Sequence, residues 1–117
     1  MQSPNNSTME RLPLKTSDFI QYIDFVDIIW VKALKKQSQV CIKGKPEVIT
    51  STFSFGDLED MLPTTFFFKC HRSTIINLSH LQRFYKGKRQ LLLSDNQCVI
   101  IAEERIGEFE NRINSSK

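Results

Sequence analysis

A chain of 117 residues that is 40% hydrophobic and 25% charged has the size and composition of one globular domain, able to fold without a disulfide framework or a structural metal. No apolar run approaches the roughly 18 residues of a membrane-spanning helix, and the polar N-terminus lacks the apolar core of a signal peptide. The formal net charge is +3, so the chain is weakly basic. The three cysteines, Cys41, Cys70 and Cys98, are widely spaced, which predicts buried free thiols in a soluble, cytoplasmic protein.

The first half of the chain predicts a short tail followed by strands. Residues 1–10 (MQSPNNSTME) are rich in Asn, Ser and Pro, which predicts a disordered tail and leaves 11–117 as a single domain. Ile28-Ile29-Trp30-Val31 is apolar throughout, which is typical of a central strand buried on both faces. Strands are predicted at 12–15, 19–23, 28–34, 39–43 and 47–52, the last two separated by a Gly44-Lys45-Pro46 turn.

The apolar spacing then changes to a helical period. Ser54 and Asp57 resemble a capping box, apolar residues follow about three positions apart, and Pro63 ends a helix of about two turns. Further strands are predicted at 66–70, 81–85, 90–94 and 97–101, and a C-terminal helix is predicted from Glu103. These elements predict a mainly β, antiparallel fold with a short internal helix and a C-terminal helix.

Positive charge is concentrated in the second half of the chain. Between Asp60 and Asp95 there is no acidic residue. That interval contains both histidines and six basic residues, namely Lys69, Arg72, Arg83, Lys86, Lys88 and Arg89. The segment from Ile28 to Pro46 lacks acids as well and carries five lysines. Such clustering of positive charge is typical of a phosphate-binding surface. Binding residues are also concentrated in loops carried by a rigid scaffold.

Strand alternation singles out one arginine. If Phe66, Phe68 and Cys70 face the core, Lys69 and His71 face solvent and Arg72 would be next to turn inward. An unpaired buried guanidinium is very costly, so the strand has to end or bulge at His71–Arg72 and turn Arg72 out. An exposed arginine on a rigid base suits contact with phosphates or a base edge.

Four segments in this order carry a family resemblance. They are Asp27-Ile28-Ile29-Trp30, a helix ending at Leu62-Pro63, the Phe66–Phe68 strand with His71-Arg72-Ser73 and Ile75-Ile76-Asn77, and the closing strands at 90–101. Together they resemble the LytTR DNA-binding domains of bacterial transcriptional regulators. The resemblance covers residues 12–113 and implies an elongated antiparallel β-sandwich that binds duplex DNA through loops, reaching two successive major grooves and the minor groove between them.

The resemblance also implies where contacts fall. Ser38, with its neighbours, matches one major-groove position, Arg72 matches the middle contact, and the segment after the last strand matches the third. There the family has arginine, whereas this chain reads Ala102-Glu103-Glu104-Arg105, so Arg105 either takes over or the contact is weak. Glutamate repels phosphate but can accept a hydrogen bond from cytosine. The candidate DNA-binding residues are Lys35, Lys36, Gln37, Ser38, Lys69, His71, Arg72, Ser73 and Arg105.

Less specific interpretations of the same residues stay open. A lysine-rich turn such as Lys35–Lys36 or 86–89 is often only a solvated loop that blunts a sheet edge. His71 is favoured as a structural residue that orients Arg72, and Ser73 and Asn77 as turn formers through local hydrogen bonds. No metal-ligand spacing and no Gly-rich phosphate loop is present, so we expect no enzyme, metal or cofactor, although a Cys–His nucleophile is not ruled out.

The sequence therefore predicts a sequence-specific, double-stranded DNA-binding domain, either a stand-alone regulator or the effector half of a longer response regulator of a two-component system. Expected partners are duplex DNA and, left open, a second copy on an adjacent repeat, but no membrane and no small-molecule substrate. Two alternatives remain: a β-rich protein-interaction module with a basic face, and a single-stranded nucleic acid binder. The second would need exposed aromatic side chains, for which Tyr22, Phe84 and Tyr85 are candidates.

Overall fold

The computed structural model describes residues 11–115, which form ten strands and two α-helices. In chain order these are β1 (Arg11–Lys15), β2 (Ile20–Asp24), β3 (Ile28–Leu34), β4 (Gln37–Ile42), β5 (Ile49–Ser51), α1 (Phe55–Met61), β6 (Phe67–His71), β7 (Thr74–Asn77), β8 (Leu81–Tyr85), β9 (Gln90–Leu93), β10 (Cys98–Ile100) and α2 (Ile106–Ser115). The predicted mainly β, antiparallel class is confirmed. The predicted disordered tail, residues 1–10, lies outside the described residues.

Five strands form a central sheet in the order β5-β4-β3-β7-β6, and all neighbouring pairs are antiparallel. The uniformly apolar β3 lies in the middle, as predicted, and Ile28 to Val31 are all buried. An irregularity in the β3–β4 pairing lies between Ile28 and Trp30. It lets Ile29 and Trp30 pack on one face of the sheet while Ile28 and Val31 pack on the other.

Layers cover both faces of the central sheet, so the domain has two hydrophobic cores. On one face pack the β1–β2 hairpin and α1, which bury Leu12, Leu14 and Leu58 completely. On the other face pack the three-stranded sheet β10-β9-β8 and α2, which bury Leu91 and Phe109. A sheet buried on both faces needs no polar side, and this explains the continuous apolar runs of its strands.

Helix α1 begins with the predicted capping box. The hydroxyl of Ser54 accepts from the amide of Asp57 at 3.1 Å, and the carboxylate of Asp57 accepts from the amide of Ser54 at 3.1 Å. The two bonds satisfy amides that a short helix would otherwise leave without partners. The helix stops before Pro63, and its Phe55 and Leu58 are buried against the central sheet.

The structure corrects three predictions. Phe66 was expected to face the core but is 52% exposed, because β6 begins one residue later and buries Phe67 and Phe68 on opposite faces of the sheet. Cys98 was expected to be buried but is exposed on the edge strand β10, while Cys41 and Cys70 are buried. Strand β7 was missed, since no strand was predicted between residues 70 and 81.

Candidate nucleic-acid interface

Three connections meet at one end of the central sheet. The amide of Ala33, near the end of β3, donates to the carbonyl of Ser73 at 2.9 Å, so the β3–β4 and β6–β7 turns lie side by side. The amide of Ala102 donates to the carbonyl of Cys70 at 2.8 Å and brings the segment after β10 to the same place. We call this the loop end: the Lys35–Lys36 turn, the Arg72–Ser73 turn and residues 102–105.

The β3–β4 turn presents two lysines to solvent. Leu34 pairs with Gln37, which leaves Lys35 and Lys36 as a two-residue turn, and Lys35 has a positive φ of 50°. A non-glycine residue in that region costs about 1 kcal/mol, and the paired strands on either side hold it there. Lys35, Lys36 and Gln37 are exposed, and the structure places no ion-pair partner among residues 11–115 against either lysine.

The β6–β7 turn presents Arg72. The β6–β7 pairing is irregular between Lys69 and His71, so Cys70 is bulged and the strand ends at His71. Arg72 is exposed in the turn that follows, and the predicted break in the strand is confirmed. No hydrogen bond or ion pair of its side chain is found within the described part of the chain. Its guanidinium is therefore available to a partner.

His71 and Ser73 hold the turn beneath Arg72. The Nδ1 atom of His71 accepts from the amide of Ser73 at 3.3 Å, and the Ser73 hydroxyl lies 3.0 Å from the same nitrogen. Because Nδ1 accepts from an amide, the proton of a neutral His71 ring is on Nε2. These contacts agree with the structural interpretation of His71 and with the local bonding expected of Ser73.

Two further candidates bond within the domain. The ammonium of Lys69 lies 3.2 Å from the carboxylate of Glu59 in helix α1, with both side chains more than a third exposed. The Arg105 guanidinium donates from Nε to the Lys69 carbonyl at 2.9 Å, pairs with Glu108 and packs over the ring of Phe68 with its central carbon 4.8 Å from the centroid. Arg105 thereby covers the edge of β6, whose outward carbonyls would otherwise be open.

Ser38 is not presented to a partner. It is fully buried, and its hydroxyl donates to the carbonyl of Phe53 at 2.9 Å. The bond joins the start of β4 to the chain just before α1 and supports the base of the Lys35–Lys36 turn. A direct contact between the Ser38 hydroxyl and DNA does not fit this arrangement. Long-range burial of this kind leaves no signal in the local sequence.

A third basic turn, residues 86–89, differs from the Lys35–Lys36 and Arg72–Ser73 turns. Lys86 lies 3.2 Å from the carboxylate of Glu110 in α2, and Arg89 lies 3.2 Å from that of Glu103. Exposed ion pairs such as these contribute little to stability, but they offset positive charge locally. Only Lys88 of this turn has no ion-pair partner among residues 11–115. The positive charges of the 86–89 turn are thus less available to an anionic partner than those of the β3–β4 turn.

A hollow of about 480 Å³ lies beside Arg72, between the end of β6 and helix α2. Lys69, Arg72 and Arg105 line it together with Glu104, which the sequence had placed at the third contact, and with two carboxylates that the sequence did not connect to the site, Glu59 and Glu108. Two of these acids come from helices, whose packing brings residues together that are far apart in sequence. The loop end is therefore a surface of mixed charge rather than a uniformly basic one.

The buried thiols do not suit nucleophilic chemistry. Burial raises the pKa of both Cys41 and Cys70 to about 12, and for Cys41 a hydrogen bond to Asp95 adds to the effect. Cysteine reacts as its thiolate, so both groups are unreactive near neutral pH. Among residues 11–115 no three His, Cys, Asp or Glu side chains are grouped so as to hold a metal, and no helix there is long and apolar enough to cross a membrane.

Comparisons with known proteins agree on one family. A family model described as the LytTr DNA-binding domain matches residues 18–114. The sensory transduction protein LytT of Enterococcus faecalis is 26% identical over 110 residues, which are 92% of this chain and 45% of that protein. The chain thus spans less than half the length of this curated relative. A solved LytTr DNA-binding domain from Bacillus cereus has the same fold, with a TM-score of 0.74 at 23% identity over 89% of this chain and 96% of that one.

Proposed function

The chain belongs to the family of LytTR DNA-binding domains, and from this we propose that it binds duplex DNA sequence-specifically through its loop end, as part of a bacterial transcriptional regulator. Such a role requires access to the chromosome and so a place in the cytoplasm. The proposal includes the setting of a response regulator in a two-component system, with the input signal supplied from outside this domain. It assigns the domain binding rather than catalysis.

One observation carries the proposal. Lys35, Lys36 and Arg72 lie in adjacent turns, all are exposed, and no ion-pair partner among residues 11–115 opposes them. Lys35 lies two residues beyond the bonded Ala33, which is about 7 Å along a strand, so the three charges form one cluster. Unpaired cations on rigid turns neutralise phosphates and release counterions, which supplies most of the affinity of proteins for DNA.

The proposal gives the site residues different roles. Arg72 reads a base edge or clamps a phosphate, because its planar donor fork matches guanine or a phosphate in two-point contact. Lys35 and Lys36 contact phosphates. The side-chain amide of Gln37 contacts either a base edge or a phosphate. Five residues position the turns instead of contacting DNA through their polar groups, and these are Ser38, Lys69, His71, Ser73 and Arg105.

The size of the domain supports binding across more than one groove. Its longest dimension is 43 Å. One turn of B-DNA is about 34–36 Å long, so a domain lying along the duplex reaches from one major groove to the next. A second copy on an adjacent repeat is part of the proposal, and sedimentation of the complex with a duplex of two repeats would show two domains bound.

Titration of the protein with duplex DNA at several salt concentrations tests the proposal. Duplexes are first selected from a random pool with the wild-type domain, and binding is then followed by fluorescence anisotropy. We expect log K to fall steeply with log salt, and Arg72→Ala to cost about 1–3 kcal/mol on the selected duplex with little effect on random duplex. Salt-independent binding, or equal binding of single strands, would contradict the proposal.

A matched control is available at the other end of the sheet. Lys45 is exposed in the connection after β4, which runs away from the loop end, and no ion pair with it occurs among residues 11–115. Lys45→Ala therefore removes the same charge as Lys35→Ala from the opposite end. If both substitutions weaken binding equally, the loop end is not the binding surface.

A further inference from the structure

Glu104 is the unpaired acid of the hollow beside Arg72. Three carboxylates line that hollow, and two of them are neutralised, Glu59 by Lys69 and Glu108 by Arg105. For Glu104, which is exposed, the structure gives no ion pair or hydrogen bond of the side chain within residues 11–115. The neighbouring Glu103 is also paired, with Arg89 at 3.2 Å.

The backbone on both sides of Glu104 is held in place. On one side the amide of Ala102 bonds to the Cys70 carbonyl, and on the other the side chain of Arg105 bonds to the Lys69 carbonyl. Glu104 lies in the 3₁₀ turn Glu103–Arg105 between these two anchors. Its carboxylate is thus exposed on a rigid base, next to the same edge of β6 that carries Arg72.

An unpaired carboxylate on a DNA-facing surface has to be explained, because it repels phosphates. A hydrogen bond that the carboxylate accepts from a base offsets this repulsion and makes the contact specific to that base. In the major groove the donors are the amino groups of cytosine and adenine. Adenine places the acceptor N7 beside its amino group, which disfavours a carboxylate, whereas cytosine has no acceptor of its own beside N4.

We propose that Glu104 determines base specificity by accepting a hydrogen bond from the N4 amino group of cytosine in the major groove, next to the contact made by Arg72. This rests on the proposed function, since it requires the loop end to face duplex DNA. It assigns one acidic residue the opposite effect from its basic neighbours: Glu104 lowers affinity for DNA in general and raises preference for one base pair.

The test is parallel selection from a random duplex pool with wild type, Glu104→Ala and Glu104→Gln, followed by titration of duplexes that differ at one base pair. Wild type is expected to prefer cytosine at one position by about tenfold, and Glu104→Ala to lose that preference alone while binding random duplex more tightly. Glu104→Gln is expected to shift the preference toward adenine, because glutamine pairs with its N6 and N7.

Controls separate the outcomes. Glu47→Ala removes an exposed acid from the connection between β4 and β5, away from the loop end, and should leave the selected sequence unchanged. If Glu104→Ala tightens binding to every duplex and keeps all base preferences, Glu104 acts only by repulsion and the inference is overturned. If wild type selects no sequence at all, the proposed function itself fails, which is a distinct result.

Discussion

At the loop end of the central sheet Lys35, Lys36 and Arg72 are exposed and have no ion-pair partner in the described chain, whereas at the far end Asn77 and His80 are buried and hydrogen-bonded within the domain. By the far end we mean the 3₁₀ turns Phe25–Asp27 and Leu78–His80, which adjoin the start of β3 and the end of β7. The polar side chains at the far end therefore stabilise the fold, whereas the three cations at the loop end are exposed to solvent.

Asn77 shows how the far end is held. Its amide nitrogen donates to the carbonyls of Phe25 at 3.1 Å and Ile28 at 2.9 Å, and its carbonyl oxygen accepts from the amide of Ser79 at 2.9 Å. His80 bonds to Val26 and Ser94 in the same region, at 2.6 and 2.7 Å. Buried polar groups satisfied in this way fix the connections between strands and are costly to remove.

The largest effect expected from this contrast is on stability. Asn77→Ala removes the side-chain bonds to two buried carbonyls and to the Ser79 amide, and we expect it to lower the free energy of unfolding by about 3 kcal/mol. Urea denaturation would show the change as a lower midpoint at an unchanged slope. Asn111→Ala, an exposed site in α2, is the control and should change stability by less than about 0.5 kcal/mol.

The same variant also tests whether the far end supports the fold without contributing to DNA binding. Under conditions in which Asn77→Ala is folded, its salt dependence of DNA binding should equal that of wild type. Arg72→Ala should behave in the converse way, with weaker binding and a wild-type midpoint. If Asn77→Ala unfolded at the wild-type midpoint, or Arg72→Ala were strongly destabilised, the two ends would not differ as the structure indicates.

Local patterns predicted much of this arrangement. The capping box at Ser54, the central position of β3 and the break at Arg72 each follow from a few adjacent residues and were confirmed. What local patterns missed depends on distant partners. Phe66 and Phe67 could not be assigned to faces, because a sheet covered on both sides has no polar face to set the alternation.

The site shows the same limit. Lys35–Lys36 and residues 86–89 both look like lysine-rich turns in sequence, and only the packing of α2 and of the 3₁₀ turn before it reveals that Glu110 and Glu103 oppose the second turn. The burial of Ser38 and the bond from Arg105 to Lys69 likewise join residues that are far apart in the chain. Sequence identified the candidate residues, but it did not separate those whose side chains are exposed and unpaired from those that bond within the domain.

Two lysine-rich turns give the next test, of intermediate size. Lys35→Ala with Lys36→Ala should reduce the slope of log K against log salt by about 2, since each lysine would neutralise one phosphate. Lys86→Ala with Lys88→Ala removes the same charge, but Glu110 already opposes Lys86, so a reduction below about 1 is expected. Equal reductions would show that ion pairing within the domain does not decide which turn binds.

The smallest effect concerns the rigidity of the loop end, and thiol labelling measures it. Burial raises the pKa of Cys70 from its ordinary value of 9.0 to about 12, so at pH 8 its thiolate fraction is about a thousandfold below that of a thiol with the ordinary pKa. Cys98 is exposed on the edge strand β10 and serves as the internal control. We expect Cys98 to be labelled rapidly in the native domain, and Cys70 only at the rate of global unfolding.

Cys70 reports on the Arg72 turn because it is the bulged residue next to that turn, and its thiol lies 3.7 Å from the carbonyl of Thr74. If the turn opens locally, Cys70 becomes accessible and is labelled faster than urea dependence of global unfolding predicts. Slow labelling of Cys70 in both wild type and Arg72→Ala would mean that the backbone of the turn keeps its structure without the Arg72 side chain. Faster labelling of Cys70 in Arg72→Ala would instead show that Arg72 stabilises the turn. Weaker DNA binding by that variant would then no longer identify a direct contact between Arg72 and DNA.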